Sequence, residues 1–159
     1  MDLEALLEKA PRREFTEIFG SGRNTIEVKL RAVSRSDLIS MRKRATVKRL
    51  NRVTRSMEDE LDFEKMRSWL RDQVLGWEGL TFRKVLRLCN RSDSDVGGEV
   101  GKLDEPVPYN QKHVQLMLEE APGFEDFVWN QINEVSDEQT EIENREKKIS
   151  ETMPGDTSP

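Results

Sequence analysis

Few side chains in this sequence have a type and spacing that could do chemistry, and each also has a plainer role. His113 is the only histidine and Cys89 the only cysteine. A zinc site takes three or four ligands, so His113 reads as a surface or packing residue in the first turn of a helix. Cys89 falls on the apolar face of a short helix with no histidine or cationic pocket implied nearby. It reads as a small buried thiol rather than a nucleophile. Acidic groups cluster at Glu58, Asp59 and Glu60 and again at Glu119 and Glu120. Paired carboxylates act as acid and base where they converge in an apolar cleft, whereas these sit at a helix start and on a solvated face. The stretches GSGRN and GGEVGKL contain glycines but do not match the phosphate-cradling pattern G-x-x-x-x-G-K-S/T. The expectation is a protein that is not an enzyme, with no cofactor and no metal.

Seven Lys or Arg lie in residues 42–55. Such a run could neutralise several phosphates. No aromatic is interleaved with it, the whole chain is acidic, and an acidic segment follows at once. A solvated face, or a face paired with an acidic neighbour, is the favoured reading, and nucleic acid the disfavoured one. Charge is also uneven along the chain. Residues 1–100 carry 21 basic and 17 acidic side chains, a net of +4, and residues 101–159 carry 5 and 14, a net of −9. Opposite halves of this kind favour self-association within or between copies.

The 159 residues are 35% hydrophobic and 36% charged, less apolar than an ordinary globular domain. No apolar run is long enough to span a bilayer, and a single cysteine fits a reducing compartment. Residues 1–13 read as a short helix or arm, with Leu3, Leu6 and Leu7 on one side and Pro11 at its end. A β-hairpin is expected over about 14–32, turning at Gly20-Ser21-Gly22. Ser34 should cap a helix running to about residue 48. Ser56 should cap the strongest helix, with Leu61, Met66, Trp69, Leu70, Val74 and Trp77 at helical spacing and a stop at Gly76 or Gly79. Thr81 should cap a short helix with Phe82, Val85, Leu86 and Cys89 on one face. Asn110 should cap another, whose core face is Val114, Met117, Leu118 and Ala121. A further helix should begin near Phe124. Residues 136–159 read as a charged helical extension, with pairs such as Glu143–Lys147, and a disordered end. The fold class expected is mainly α with a small N-terminal β-hairpin (α+β): a compact helical domain of about five helices over 14–135 and a charged tail.

The large aromatics complete the inventory. Trp69 is most simply core. Trp77 and Trp129 read first as core, with a groove or interface as the alternative, since tryptophan is enriched among binding anchors. The residues alone describe a helical binding module.

One resemblance sharpens this. The steps VLGWEGL, a polar glycine-bearing loop, and PVPYNQKHVQLMLEEAPGFEDFVWNQI resemble the tail assembly chaperones of long-tailed bacteriophages, over about residues 25–135. The matching positions are Trp77 and Gly79, then Pro108, Tyr109 and Asn110, then Leu116, Leu118 and Pro122. The loop at 90–105 is longer than the pattern requires, and the basic run has no counterpart in it. The resemblance implies a non-catalytic protein of the host bacterial cytoplasm. It implies binding to the tape measure protein, recruitment of tail tube protein, and a homo-oligomer. A structural tail or head-completion component is the alternative.

Overall fold

The structure, a computed structural model, describes residues 2–10 and 12–152. Side chains are described for all of these except 95, 99, 138–144, 146–147 and 149–152. Pro11, the Glu143–Lys147 pair and the terminal PGDTSP therefore lie outside the described residues.

The first hairpin forms where alternation places it. Strands β1 (Glu14–Phe19) and β2 (Ile26–Arg31) pair antiparallel, with Phe15 opposite Leu30 and Phe19 opposite Ile26. Ile26, Val28 and Leu30 are buried, while Glu27 and Lys29 face solvent. Gly20 has φ +96°, and a Cβ there would sit 2.1 Å from the Asn24 carbonyl oxygen, so the turn excludes any side chain. Ahead of the hairpin, α1 (Leu3–Lys9) is capped by Asp2 and buries none of its residues.

Helix α2 (Arg35–Ala45) opens with a reciprocal capping box. Ser34 Oγ accepts from the Asp37 N–H at 3.1 Å, and Asp37 Oδ2 accepts from the Ser34 N–H at 3.2 Å. Arg12 pairs with the same carboxylate and ties the N-terminal arm down. Partial burial pushes the Asp37 carboxyl up, but the hydrogen bonds from Arg12 and Ser34 outweigh it and hold its pKa below the usual value. A folded pKa lower than the unfolded one gives stability above the unfolded carboxylate value of about 4, lost as pH falls through the folded value. In urea melts across that window, Asp37→Asn is expected to lose less stability on acidification than the parent chain.

The mainly helical expectation is corrected over residues 46–78. Among the described residues there are six α-helices and two small antiparallel sheets built from five strands, not about five helices and one hairpin. Helix α2 stops at Ala45 and the chain enters a second hairpin, β3 (Thr46–Asn51) with β4 (Ser56–Leu61). Ser56 caps no helix there. Across the ribbon Lys48 faces Asp59 and Arg49 faces Glu58, and Arg49 Nε reaches Glu60 at 3.2 Å. The segments read as a basic helix end and an acidic helix start are thus two halves of one charge-paired ribbon. Asn51 Oδ1 accepts from the N–H groups of Val53 and Thr54 at 2.9 and 3.3 Å, and Arg55 takes φ +55°; together these make the turn.

Helix α3 (Phe63–Gln73) is capped instead by Asp62, whose Oδ1 accepts from Glu64 and Lys65. It ends before Val74, so Trp77 lies on a strand and not on a helix. That strand, β5 (Val74–Glu78), adds antiparallel to β2 with a register shift between Lys29 and Leu30. Pairing with the open edge of β2 satisfies backbone groups that a longer helix would leave unpaired. Helices α4 (Phe82–Leu88), α5 (Gln111–Glu120) and α6 (Phe124–Thr152) follow, with two 3-10 turns at Asp93–Asp95 and Gly97–Lys102 between α4 and α5.

Sheet β1-β2-β5 lies against α6, and α3 packs among α2, α5 and α6. Their shared core holds Leu30, Leu70, Val114, Phe124, Val128 and Ile132. Helix α6 continues without a break for 29 residues, about 44 Å at 1.5 Å per residue. Its buried face reaches Ile132 and Ser136, and Asp137, Arg145 and Lys148 beyond are exposed.

Candidate functional site: an apolar groove between two helices

The exit from β5 sets the site. Gly79 turns the chain with φ +79°, and Leu80 behind it is fully buried. A β-carbon at Gly79 would meet only Lys84 Nζ at 3.8 Å, so the position is limited by backbone strain and not by space. Gly79→Ala is expected to cost about 1–2 kcal/mol in urea unfolding. Thr81 then caps α4, its hydroxyl accepting from the Lys84 N–H at 3.2 Å. Lys84 Nζ donates to the Gly79 and Thr25 carbonyls at 2.8 and 2.9 Å, joining this turn to the first hairpin.

The returning segment pairs with the same turn. Val107 N–H donates to Leu80 O at 2.9 Å and Arg83 N–H to Leu103 O at 2.8 Å. Arg83 also holds Asp93 and Asp104 at 2.5 and 2.9 Å, anchoring both ends of the polar connection. Trp77 Nε1 donates to Val107 O at 2.9 Å. Tyr109 Oη donates to Val74 O at 2.6 Å, and the two rings meet edge to face with centroids 5.4 Å apart. Burial raises the Tyr109 pKa against the opposing Arg31 charge, with a smaller push from Asp72, so the phenol remains a donor. Asn110 Oδ1 accepts from the His113 N–H at 2.8 Å and caps α5. His113 Nδ1 lies 2.6 Å from Pro108 O and 3.2 Å from Asn110 Nδ2, which ties the ring to the start of α5.

Five of the six residues singled out from the sequence therefore share one neighbourhood: Trp77, Gly79, Pro108, Tyr109 and Asn110 lock the β5–α4 turn to the start of α5. Trp129 is elsewhere. It is on α6, half-buried against the core, with the Arg42 guanidinium 5.5 Å from its ring centre.

What these locks hold apart is an open groove of about 460 Å³. Phe82, Val85 and Leu86 of α4, with Cys89 at its C-terminal cap, form one wall, Leu116 and Met117 of α5 the other, with Val107 between them. Arg91 and Glu120, 3.1 Å apart, form an ion pair on the lining. Cys89, expected as a small buried thiol, is only half-buried; no residue of α4 is fully buried, and Phe82 and Leu116 remain exposed. Leu116 carried the readable signal, since it is apolar but lies off the core stripe of α5. Cys89 looks into the groove half-buried. Burial, and then the Glu120 charge against an opposing Arg91, raises its pKa, so the thiol stays protonated near neutrality and is a poor nucleophile.

Among the described residues no group of three or more His, Cys, Asp or Glu is placed to hold a metal, and no helix is long and apolar enough to cross a membrane. Comparisons of the chain with protein-family models, with curated proteins and with solved structures find no match.

Proposed function

We propose that this protein is a non-catalytic tail assembly chaperone, which covers apolar helical stretches of a tape measure protein and brings tail tube subunits to it. The observation that carries the reading is the groove: a shallow apolar channel between α4 and α5, with charge only at Arg91 and Glu120 and an imidazole at His113. An amphipathic helix recognises such a channel by laying its apolar stripe along it. Trp77, Tyr109 and Asn110, the residues of the family resemblance, fix the walls rather than line the channel, which suits a scaffold role. A tape measure protein exposes long apolar helical surface that aggregates unless covered. Many weak copies along a repetitive partner gain by avidity, yet each remains displaceable when tube protein polymerises. The setting would be the host bacterial cytoplasm.

Co-expression with a tape measure protein tests this. The expected result is a complex that co-purifies and keeps an otherwise insoluble partner in solution. A chain that leaves the partner insoluble, and is instead retained in finished particles, contradicts the chaperone reading and favours a structural tail or head-completion component.

A further inference from the structure

The β3–β4 ribbon has no use in the groove, and none of its residues lines that channel. It projects from α2 and α3 with no buried residue in either strand. Leu50 and Met57, directly opposed, are 61% and 60% exposed, and Val53 at the tip is 92% exposed. A two-stranded ribbon alone is marginal in water, and an open edge beside apolar side chains is a template for another strand. Among the described residues no further strand pairs with it.

The two free edges can be read from the register. The Asp62 N–H donates to Ala45 O at 2.6 Å. Stepping by two, Val47–Glu60, Arg49–Glu58 and Asn51–Ser56 are the pairs that exchange backbone hydrogen bonds. Lys48 and Leu50 on β3, and Met57 and Asp59 on β4, therefore turn their backbone groups outward. The edges differ in sign: β3 carries Lys48 and Arg49, and β4 carries Glu58, Asp59 and Glu60.

We propose that this ribbon is a self-assembly element in which the β4 edge of one copy adds antiparallel to the β3 edge of the next. Joining β3 to β3 sets cations against cations, and joining β4 to β4 sets three carboxylates against three. Only the mixed pairing is complementary. Repeating the internal register places Asp59 opposite the next copy's Lys48, and Met57 opposite its Leu50, so an apolar row runs on from copy to copy. Such head-to-tail addition closes into a ring or continues as a filament.

A charge-swapped chain tests the inference: Lys48→Glu and Arg49→Glu together with Glu58→Lys, Asp59→Lys and Glu60→Lys. The swap keeps opposite signs within each ribbon, and between like copies, but opposes like signs at every β4-to-β3 join between swapped and parent chains. Full-length chains bearing different tags are mixed at low salt and pulled down, with sedimentation velocity on each alone. Both chains are expected to form oligomers by themselves, and mixed copies to co-purify at least about tenfold less than like with like. A parent chain that is monomeric at every concentration overturns the proposal, as does equal capture of mixed and like copies. If the swapped chain does not fold, Asp59→Pro decides. Proline is tolerated at an edge N–H that faces solvent, so this variant should melt like the parent but sediment as a monomer. Retained oligomers overturn the inference.

Discussion

Phe124→Ala is expected to lower stability by about 3–5 kcal/mol, the usual cost of emptying a buried aromatic site. Phe124 is fully enclosed and is the largest such side chain in the core. Its ring meets Phe19 edge-on at 5.1 Å and stacks at 6.3 Å with Phe127, so it joins α6 to the first hairpin. The surrounding groups come from separate elements and cannot collapse together into the space. The loss would be a large part of the roughly 5–15 kcal/mol that holds a domain folded. Urea unfolding followed by tryptophan fluorescence reads it directly. Phe127→Ala, at a half-buried position, should cost clearly less, and equal costs would contradict the packing described.

The second large effect is on binding. Leu86→Glu combined with Leu116→Glu places a carboxylate on each wall of the groove, at positions that are not fully buried. Folding should survive, because Met117 and Val107 behind them are untouched. Affinity for an apolar helix should fall at least about a hundredfold, since two desolvated anchors are lost and two charges are buried without partners. Melting curves and partner pull-down measured together separate the outcomes. An undiminished complex would show that the partner binds another face.

The elements legible in the sequence are those whose pattern has one physical solution. Alternation in IEVKL, beside a turn that only glycine can make, yields the β1–β2 hairpin. Asn110 ahead of Val114, Met117 and Leu118 yields α5, and Ser34 with Asp37 yields the start of α2. Residues 46–61 were not legible for a specific reason. Their charges are segregated along the chain, basic then acidic, which is also how charges complement helix ends. The structure resolves this by folding the segment back so that the charges face one another. Trp77 was drawn into the α3 pattern because Val74 and Trp77 continue its spacing. What ends the helix is the unpaired edge of β2, which is remote in sequence and invisible to a local pattern. The groove was half legible. The sequence reading named each α4 residue in it, but whether an apolar face is covered depends on how far α5 stands from α4. The locks at Trp77, Tyr109 and Arg83 set that distance.

The most direct test of the central claim uses Cys89, the one thiol, already placed in the groove. Its alkylation rate is measured at one fixed pH, in the free protein and in a complex with the proposed tape measure partner. Its raised pKa makes the free rate slow near neutrality and faster as pH rises, so a mildly alkaline pH gives a usable signal. The account predicts a rate reduced at least about tenfold in the complex, because a helix lying in the channel excludes the reagent. A complex that forms while Cys89 reacts at its free rate would contradict the claim that the groove is where the partner binds.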